Sequence, residues 1–333
     1  MSKLTSSIAM CTYNGEKYLQ EQLDSLTAQT RLPDELVVCD DCSTDSTVEI
    51  LETFSKRAPF PVRIFRNEKN LGYNKNFEKC ALKCNYDIIF YCDQDDIWQS
   101  NKIEIVLNNL EKNSVWGIIA HNDVCINSTG DNKSESLISS LKSFFKYPDN
   151  YIELINSGMW TSMVNRLFSW PGHNIAFRSS LREIIFPVPC ENLYDAWTFL
   201  SCLSVGEGHV LDIPLVQYRI HNNSATRREV AQKNIVDSQG LSLSDSRILE
   251  IGYKQMGCRA QFAADRLAAI SLQTMKPTVI YNLNNRALHY FRRSQMRQNM
   301  LKRYAYALIE LFSGRYFRHS SGLLSFGKDL IGK

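Results

Sequence analysis

Hydrophobic positions along the first 125 residues fall into two alternating rhythms. Short β-branched or apolar runs at 7–12, 35–40, 62–66, 87–92 and 116–121 read as strands. Longer segments with apolar residues at helical spacing lie between and after them, at 16–29, 45–57, 73–83 and 98–112. Such alternation is the pattern of βα units around a mostly parallel sheet flanked by helices, an α/β fold. Pro33 and the Pro59/Pro61 pair close two connections, and Ser43, Thr44 and Asp45 offer oxygens to cap the second helix.

Residues 127–160 are polar and irregular, then weakly amphipathic, and read as an insertion. Order resumes with a strand at 173–178, helices at 180–185 and 194–204, and two short strands at 209–213 and 215–220. The polar stretch 222–246 reads as a linker. From there the pattern is helical to near the end, with a break at Pro277. The chain thus divides into an α/β domain at 1–225, with halves at 1–125 and 126–225, and a helical region at 226–333.

A chain of 333 residues, 44% hydrophobic and 22% charged, has enough apolar surface for a sizeable core. No run approaches the ~18 apolar residues of a membrane span, and the N-terminus leads straight into a strand, so a cytoplasmic protein is expected. The ten cysteines are irregularly spaced, as for reduced thiols. Cys39 and Cys42 have CxxC spacing, but no second pair answers them. The net charge of +3 hides an asymmetry: positions 286–333 hold ten basic and two acidic residues, net +8, leaving −5 on the rest.

In an open parallel sheet, ligands lie beyond the carboxyl ends of the strands. The predicted strand ends carry Thr12-Tyr13-Asn14-Gly15, Asp40 through Asp45, Asn67 through Asn76, and Asp93-Gln94-Asp95-Asp96. Three carboxylates within four residues repel one another, and a hard divalent cation offsets that repulsion. A solvated acidic turn capping the following helix is the plainer reading. Neither GxGxxG nor GxxxxGK[ST] occurs, so no glycine-rich loop is available to cradle phosphate. A metal bridging a diphosphate would fill that role, which points to a nucleotide-sugar.

The runs from Ile8 to Gly15, Val37 to Asp45, Asn70-Leu71-Gly72 with Asn76, and Asp93 to Trp98 resemble, in order and spacing, the family 2 glycosyltransferases of GT-A fold. Bacterial O-antigen and capsule transferases, including rhamnosyltransferase-like members, belong to that group. The resemblance is strong over residues 5–125 and fainter over 170–225. It implies that Thr12, Tyr13 and Asn14 form the first nucleotide-contacting loop, that Asp41 accepts a hydrogen bond from the base, and that Asn76 lines the pocket. Asp93 and Asp95 match the DxD, the first facing ribose and sugar and the second binding Mn2+ or Mg2+. Cys42 departs from the family, where many members have Gly; a positive φ there would be costly.

In the second half, Asp195 resembles the acid placed at a helix start to take the acceptor's proton, with Glu191 as alternative. Either acid could instead simply favour the helix N-terminus. His221, in Tyr218-Arg219-Ile220-His221, resembles a segment whose His completes the metal shell in several relatives, the alternative being an ordinary hydrogen-bonded histidine. His173 falls in an acceptor-facing stretch or serves structure. Trp98, Trp160, Trp170 and Trp197 suit core packing or sugar stacking, with Trp197 beside the candidate base.

The basic, aromatic-rich tail suits the anionic cytoplasmic face of the inner membrane, an oligomer contact or a solvated helical face. No nucleic-acid partner is expected. The resemblance therefore implies an inverting, metal-dependent glycosyltransferase using a nucleotide-sugar, UDP- or dTDP-linked, and a lipid-linked oligosaccharide acceptor. The competing readings are a DxD-type phosphohydrolase with Asp93 as nucleophile, and a non-catalytic sugar-nucleotide or glycan-binding module.

Overall fold

The computed structural model describes residues 3–132, 150–157, 170–189, 193–221, 246–269, 277–298, 300–320 and 322–331. The described residues up to Ile220 form one compact unit and those from His221 onward a second.

The first unit begins with β1 (Ser6–Thr12), α1 (Leu19–Thr27), β2 (Glu35–Asp40), α2 (Thr47–Ser55), β3 (Val62–Arg66), α3 (Tyr73–Leu82) and β4 (Ile88–Cys92). After the acidic turn come β5 (Ile97–Trp98), α4 (Lys102–Lys112), β6 (Trp116–Ile126) and α5 (Tyr151–Asn156). It closes with β7 (Ile175–Arg178), α6 (Arg182–Ile185), α7 (Tyr194–Val205) and β8 (Glu207–Arg219). One sheet holds the strands in the order β3, β2, β1, β4, β7, β6, β8, β5. The first four are parallel, β7 runs antiparallel to both neighbours, and β6 pairs parallel with β8.

Both faces of the parallel strands are covered, which explains why β1, β2 and β4 read as unbroken apolar runs. Ile8, Met10, Val38, Ile88 and Phe90 point into one core with Leu19, Leu23 and Leu26 of α1 and Ile103, Val106, Leu107 and Leu110 of α4. Helix α3 packs on β1 and β2, burying Phe77, Cys80 and Ala81.

Several boundaries differ from the sequence reading: β6 runs to Ile126 rather than ending at 121, the first two helices are shorter at both ends, and two further differences follow from pairing with β8. The helix expected from residue 98 starts at Lys102, because Ile97 and Trp98 pair antiparallel with Gln217 and Val216 of β8. The two short strands expected at 209–213 and 215–220 form one strand, β8. Its register against β6 shifts around Asn122 and Pro214, where proline has no N–H to donate to a regular ladder.

The second unit contains α8 (Ser246–Ala269), α9 (Pro277–Gln298), α10 (Met300–Phe312), α11 (Arg315–His319) and α12 (Leu323–Ile331). Pro277 occupies the first helical position, where its missing N–H is no loss. Polar pairs occupy the interior of this unit. The Arg293 guanidinium donates to both oxygens of Asp329, at 2.6 and 3.1 Å, and lies 4.2 Å from the centre of the Tyr253 ring. No helix among the described residues is long and apolar enough to cross a membrane.

Removing one partner of a buried pair strands the other's charge. Asp329→Ala should therefore lower the stability of the helical unit by about 3–5 kcal/mol, measurable by chemical denaturation followed by circular dichroism.

Candidate active site

The carboxyl ends of β1, β2 and β4 lie side by side, and side-chain hydrogen bonds weld their loops together. Asp40 accepts from Thr12 Oγ1 (2.9 Å) and from the Ser43 backbone N–H (2.9 Å). The Asn14 N–H donates to Ser43 Oγ (2.9 Å), and Asn14 Oδ1 accepts from the Thr44 N–H (2.8 Å). Gln94 grips the Tyr13 backbone from the acidic turn, accepting from its N–H at 2.9 Å and donating to its carbonyl at 3.1 Å. The Gln94 side chain lies so close to Gly15 that a Cβ there would collide with it. Thr12 is buried, while Tyr13 and Asn14 are exposed.

Asp41 is buried and accepts three hydrogen bonds: from Asn67 Nδ2 (2.7 Å), the Leu71 N–H (2.8 Å) and the Gly72 N–H (2.9 Å). These fix the loop into α3, where Gly72 adopts φ +76°, a conformation a side chain would strain. Asn76 is equally engaged, donating to the Cys39 carbonyl (2.8 Å) and accepting from Asn67 (2.8 Å).

The acidic turn after β4 meets a histidine. β7 pairs antiparallel with β4 through Phe90 and Ala176, and continuing that register brings His173 opposite Asp93. His173 Nδ1 lies 3.5 Å from Asp93 Oδ2 and 3.8 Å from Asp96 Oδ2, and its Nε2 lies 3.5 Å from Asp123 Oδ2. The Tyr218 ring stacks on the imidazole at 4.8 Å. Asp93, Asp96 and His173 each offer a ligand atom, all within 4.8 Å of one another. Asp95 lies on the same turn, half-buried, and belongs to no such group among the described residues.

A divalent ion fits this set. Asp96 Oδ2 is fully buried and has no hydrogen-bond partner, and two carboxylates with one imidazole are a donor set for Mn2+ or Mg2+. The same groups hold a proton strongly. Burial works against a charge on His173, but Asp96, Asp123 and Asp93 outweigh it and lift its pKa to about 10. Burial pushes Asp96 up to about 8 against the pull of His173, and Asp95 and Asp93 add to the rise. Lys102, wholly buried, donates to the His173 carbonyl at 2.7 Å with its ammonium 3.5 Å from the Trp98 ring centre. Burial brings its pKa down to about 7.

Arg219 pins the turn from the far strand. Its N–H donates to Asp96 Oδ1 (3.0 Å), its Nε to the Asp95 carbonyl (2.9 Å) and its Nη2 to Glu21 (2.6 Å). Asp195 stands half-buried in the first turn of α7, accepting from the Ala196 N–H at 2.6 Å. Burial raises its pKa to about 6, and the charges of Asp93 and His173 both act on it. Tyr194 beside it stacks on Phe77 at 4.2 Å. His221 opens the second unit, half-buried. Trp98, Trp170 and Trp197 are buried core residues, with the Trp197 indole donating to the Ile185 carbonyl (2.6 Å). Trp160 and Glu191 lie outside the described residues.

Sequence reasoning gave no site role to Asp123, Lys102 or Arg219, and treated Asp96 only as part of the acidic run. A lysine in a helix's first turn and an acid inside a strand look ordinary locally; a buried charge becomes visible only when the strands are paired.

Residues 7–177 match the family model described as glycosyl transferase family 2. An uncharacterised glycosyltransferase of Nostoc sp. is 23% identical over 300 residues, covering 87% of this chain and 83% of its own. A dTDP-rhamnosyl transferase of Shigella flexneri is 35% identical over 123 residues, 36% of this chain and 40% of that protein. The crystal structure of S. aureus TarS 1–349 in complex with UDP-GlcNAc superimposes with a TM-score of 0.58 at 17% identity, over 95% of this chain and 88% of that one. At that identity the likeness speaks for the fold, an α/β architecture of GT-A type.

Cys42 sits at φ +66°, a conformation that costs a side-chain-bearing residue about 1–2 kcal/mol. Glycine adds roughly 0.4–1 kcal/mol of unfolded-state entropy. The Cys42 thiol also donates to the Asn67 carbonyl at 3.0 Å, a bond worth about 0.5–1.5 kcal/mol that glycine loses, so the terms offset and Cys42→Gly should leave the denaturation midpoint nearly unchanged.

Proposed function

The chain belongs to glycosyl transferase family 2, and on that premise we propose that it moves one sugar from a nucleotide-sugar to a hydroxyl of a lipid-linked glycan during assembly of an O-antigen or capsule, inverting the anomeric centre. The convergence of Asp93, Asp96 and His173 at the end of β4, with Asp195 within their electrostatic reach, carries the reading. The named relatives favour the substrate class: one is a dTDP-rhamnosyl transferase, another an abequosyltransferase of Salmonella typhimurium, 30% identical over 32% of this chain and 32% of that protein. A phosphohydrolase has no support from the family match.

In this reading Asp195 is the base. Its carboxylate takes the proton of the acceptor hydroxyl, whose oxygen bonds to the anomeric carbon. The bond from that carbon to the diphosphate breaks, and its electron pair leaves with the nucleoside diphosphate. Burial lifts Asp195 to about 6, making it a stronger base than an ordinary carboxylate while it stays ionised near neutrality. Tyr13 and Asn14 contact the nucleotide from the exposed edge of the welded loops, and Thr12, buried beneath them, holds that edge through Asp40. Asp41 faces the base with what remains of its accepting capacity, and Asn76 keeps that wall in place. Asp93, Asp96 and His173 would hold a divalent cation, with Asp95 as a further carboxylate on the turn, and Asp123 keeps the His173 ring in register. A bound Mn2+ or Mg2+ would offset the negative charge that develops on the departing diphosphate.

Turnover of UDP- and dTDP-sugars by the purified chain tests the reading. Asp195→Asn should lower kcat by about 10²–10⁴ while donor affinity changes little. Because the base works only when ionised and its pKa is about 6, kcat/KM should fall as the pH drops through that value. Full turnover in Asp195→Asn would remove this residue from the mechanism. Chelation should abolish turnover and added Mn2+ restore it, and Asp96→Asn should weaken Mn2+ binding measured by calorimetry.

A further inference from the structure

We propose that the C-terminal helical unit presents a docking face for an anionic lipid surface, formed by α10, α11 and α12. Positions 286–333 contain ten basic residues and only two acids, Glu310 and Asp329, and the fold buries both. Glu310 accepts from His289 Nδ1 (2.7 Å), Arg292 (2.7 Å) and Arg315 (2.9 Å). Burial opposes its ionisation, but these three bonds prevail and hold its pKa at about 2. Asp329 is closed off by Arg293 and by the Tyr316 hydroxyl at 2.8 Å. Both acids of this segment are thus turned inward, while Lys302, Arg318 and Lys328 stand exposed.

The apolar residues show the reverse assignment. Tyr304, Leu308 and Phe312 follow one another at i, i+4 and i+8 along α10, and all three are exposed, Phe312 by 84%. Phe317 on α11 and Leu323 and Leu324 at the start of α12 are exposed too, Leu324 by 71%. A segment that hides both of its carboxylates and offers phenylalanine and leucine to solvent has inverted the usual partition of residues.

Charge complementarity selects the occupant. An anionic bilayer meets both features, its headgroups pairing with the lysines and arginine and its acyl boundary taking the rings and leucines. A second copy would bring cationic faces together, and nucleic acid would leave Phe312 and Leu324 in water. The proposal rests on the helical unit alone and stands or falls apart from the transfer chemistry, although it would bring the enzyme to a lipid-carried acceptor.

Sedimentation of the full chain with vesicles tests it. Vesicles of mixed phosphatidylglycerol and phosphatidylcholine should bind the chain at least tenfold more tightly than phosphatidylcholine alone, and about 0.5 M salt should weaken that binding. Replacing Lys302, Arg318 and Lys328 together by Gln should weaken it about a hundredfold, and Leu323→Ser with Leu324→Ser should reduce it further, with donor hydrolysis unchanged in both. Equal partition onto neutral vesicles, or none onto anionic ones at low salt, would overturn the proposal. So would a concentration-dependent dimer, seen by light scattering, that Phe312→Ser dissolves.

Discussion

The electrostatics of the first unit turn on one constraint, the repulsion among carboxylates held at the end of β4. Asp96 is fully buried and Asp93 and Asp95 stand on the same turn, so their charges act on one another with less water between them than on an open surface. The surrounding structure answers that repulsion. His173 brings a ring nitrogen toward Asp93 and Asp96, Asp123 holds its other nitrogen, Lys102 lies beneath on the Trp98 ring, and Arg219 ties down the backbone of the turn. A site stressed in this way takes up a proton readily and has the donor set that could take a divalent ion.

The loops at the other strand ends obtain by side-chain bonding the rigidity that many phosphate sites obtain from glycine-rich backbone. Asp40 joins the loops after β1 and β2, Asp41 closes around the entry to α3, and Gln94 clamps the Tyr13 peptide. Buried carboxylates that accept several N–H donors fix the loop that supplies those donors. The arrangement keeps the exposed residues Tyr13 and Asn14 on a firm base, suited to a ligand that needs a pre-shaped edge.

The helical unit applies the same physics to another end. The two acids of positions 286–333 are drawn inward by arginines and a histidine, leaving the surface of that segment cationic and partly apolar. Net charge alone does not give that result: an excess of +8 spread evenly with exposed acids would form a mixed surface with little attraction for any one partner.

The sequence by itself determined the βα order, the first four strands to within a residue, the acidic turn, and the placing of Asp195 at the start of a helix. These are local properties, written in the period of apolar residues and in short runs of chemistry. Only the tertiary structure decided that His173 meets Asp93 and Asp96, that Ile97 and Trp98 form a strand, that Lys102 is buried, and that Glu310 and Asp329 are hidden. Each of these depends on pairing or packing between segments far apart in the chain. β7 sits some eighty residues beyond β4, and nothing within either segment states that they run antiparallel with Phe90 opposite Ala176. Register between distant strands emerges from the collective fit of the core, so the partners of a buried charge become legible only once that core has closed.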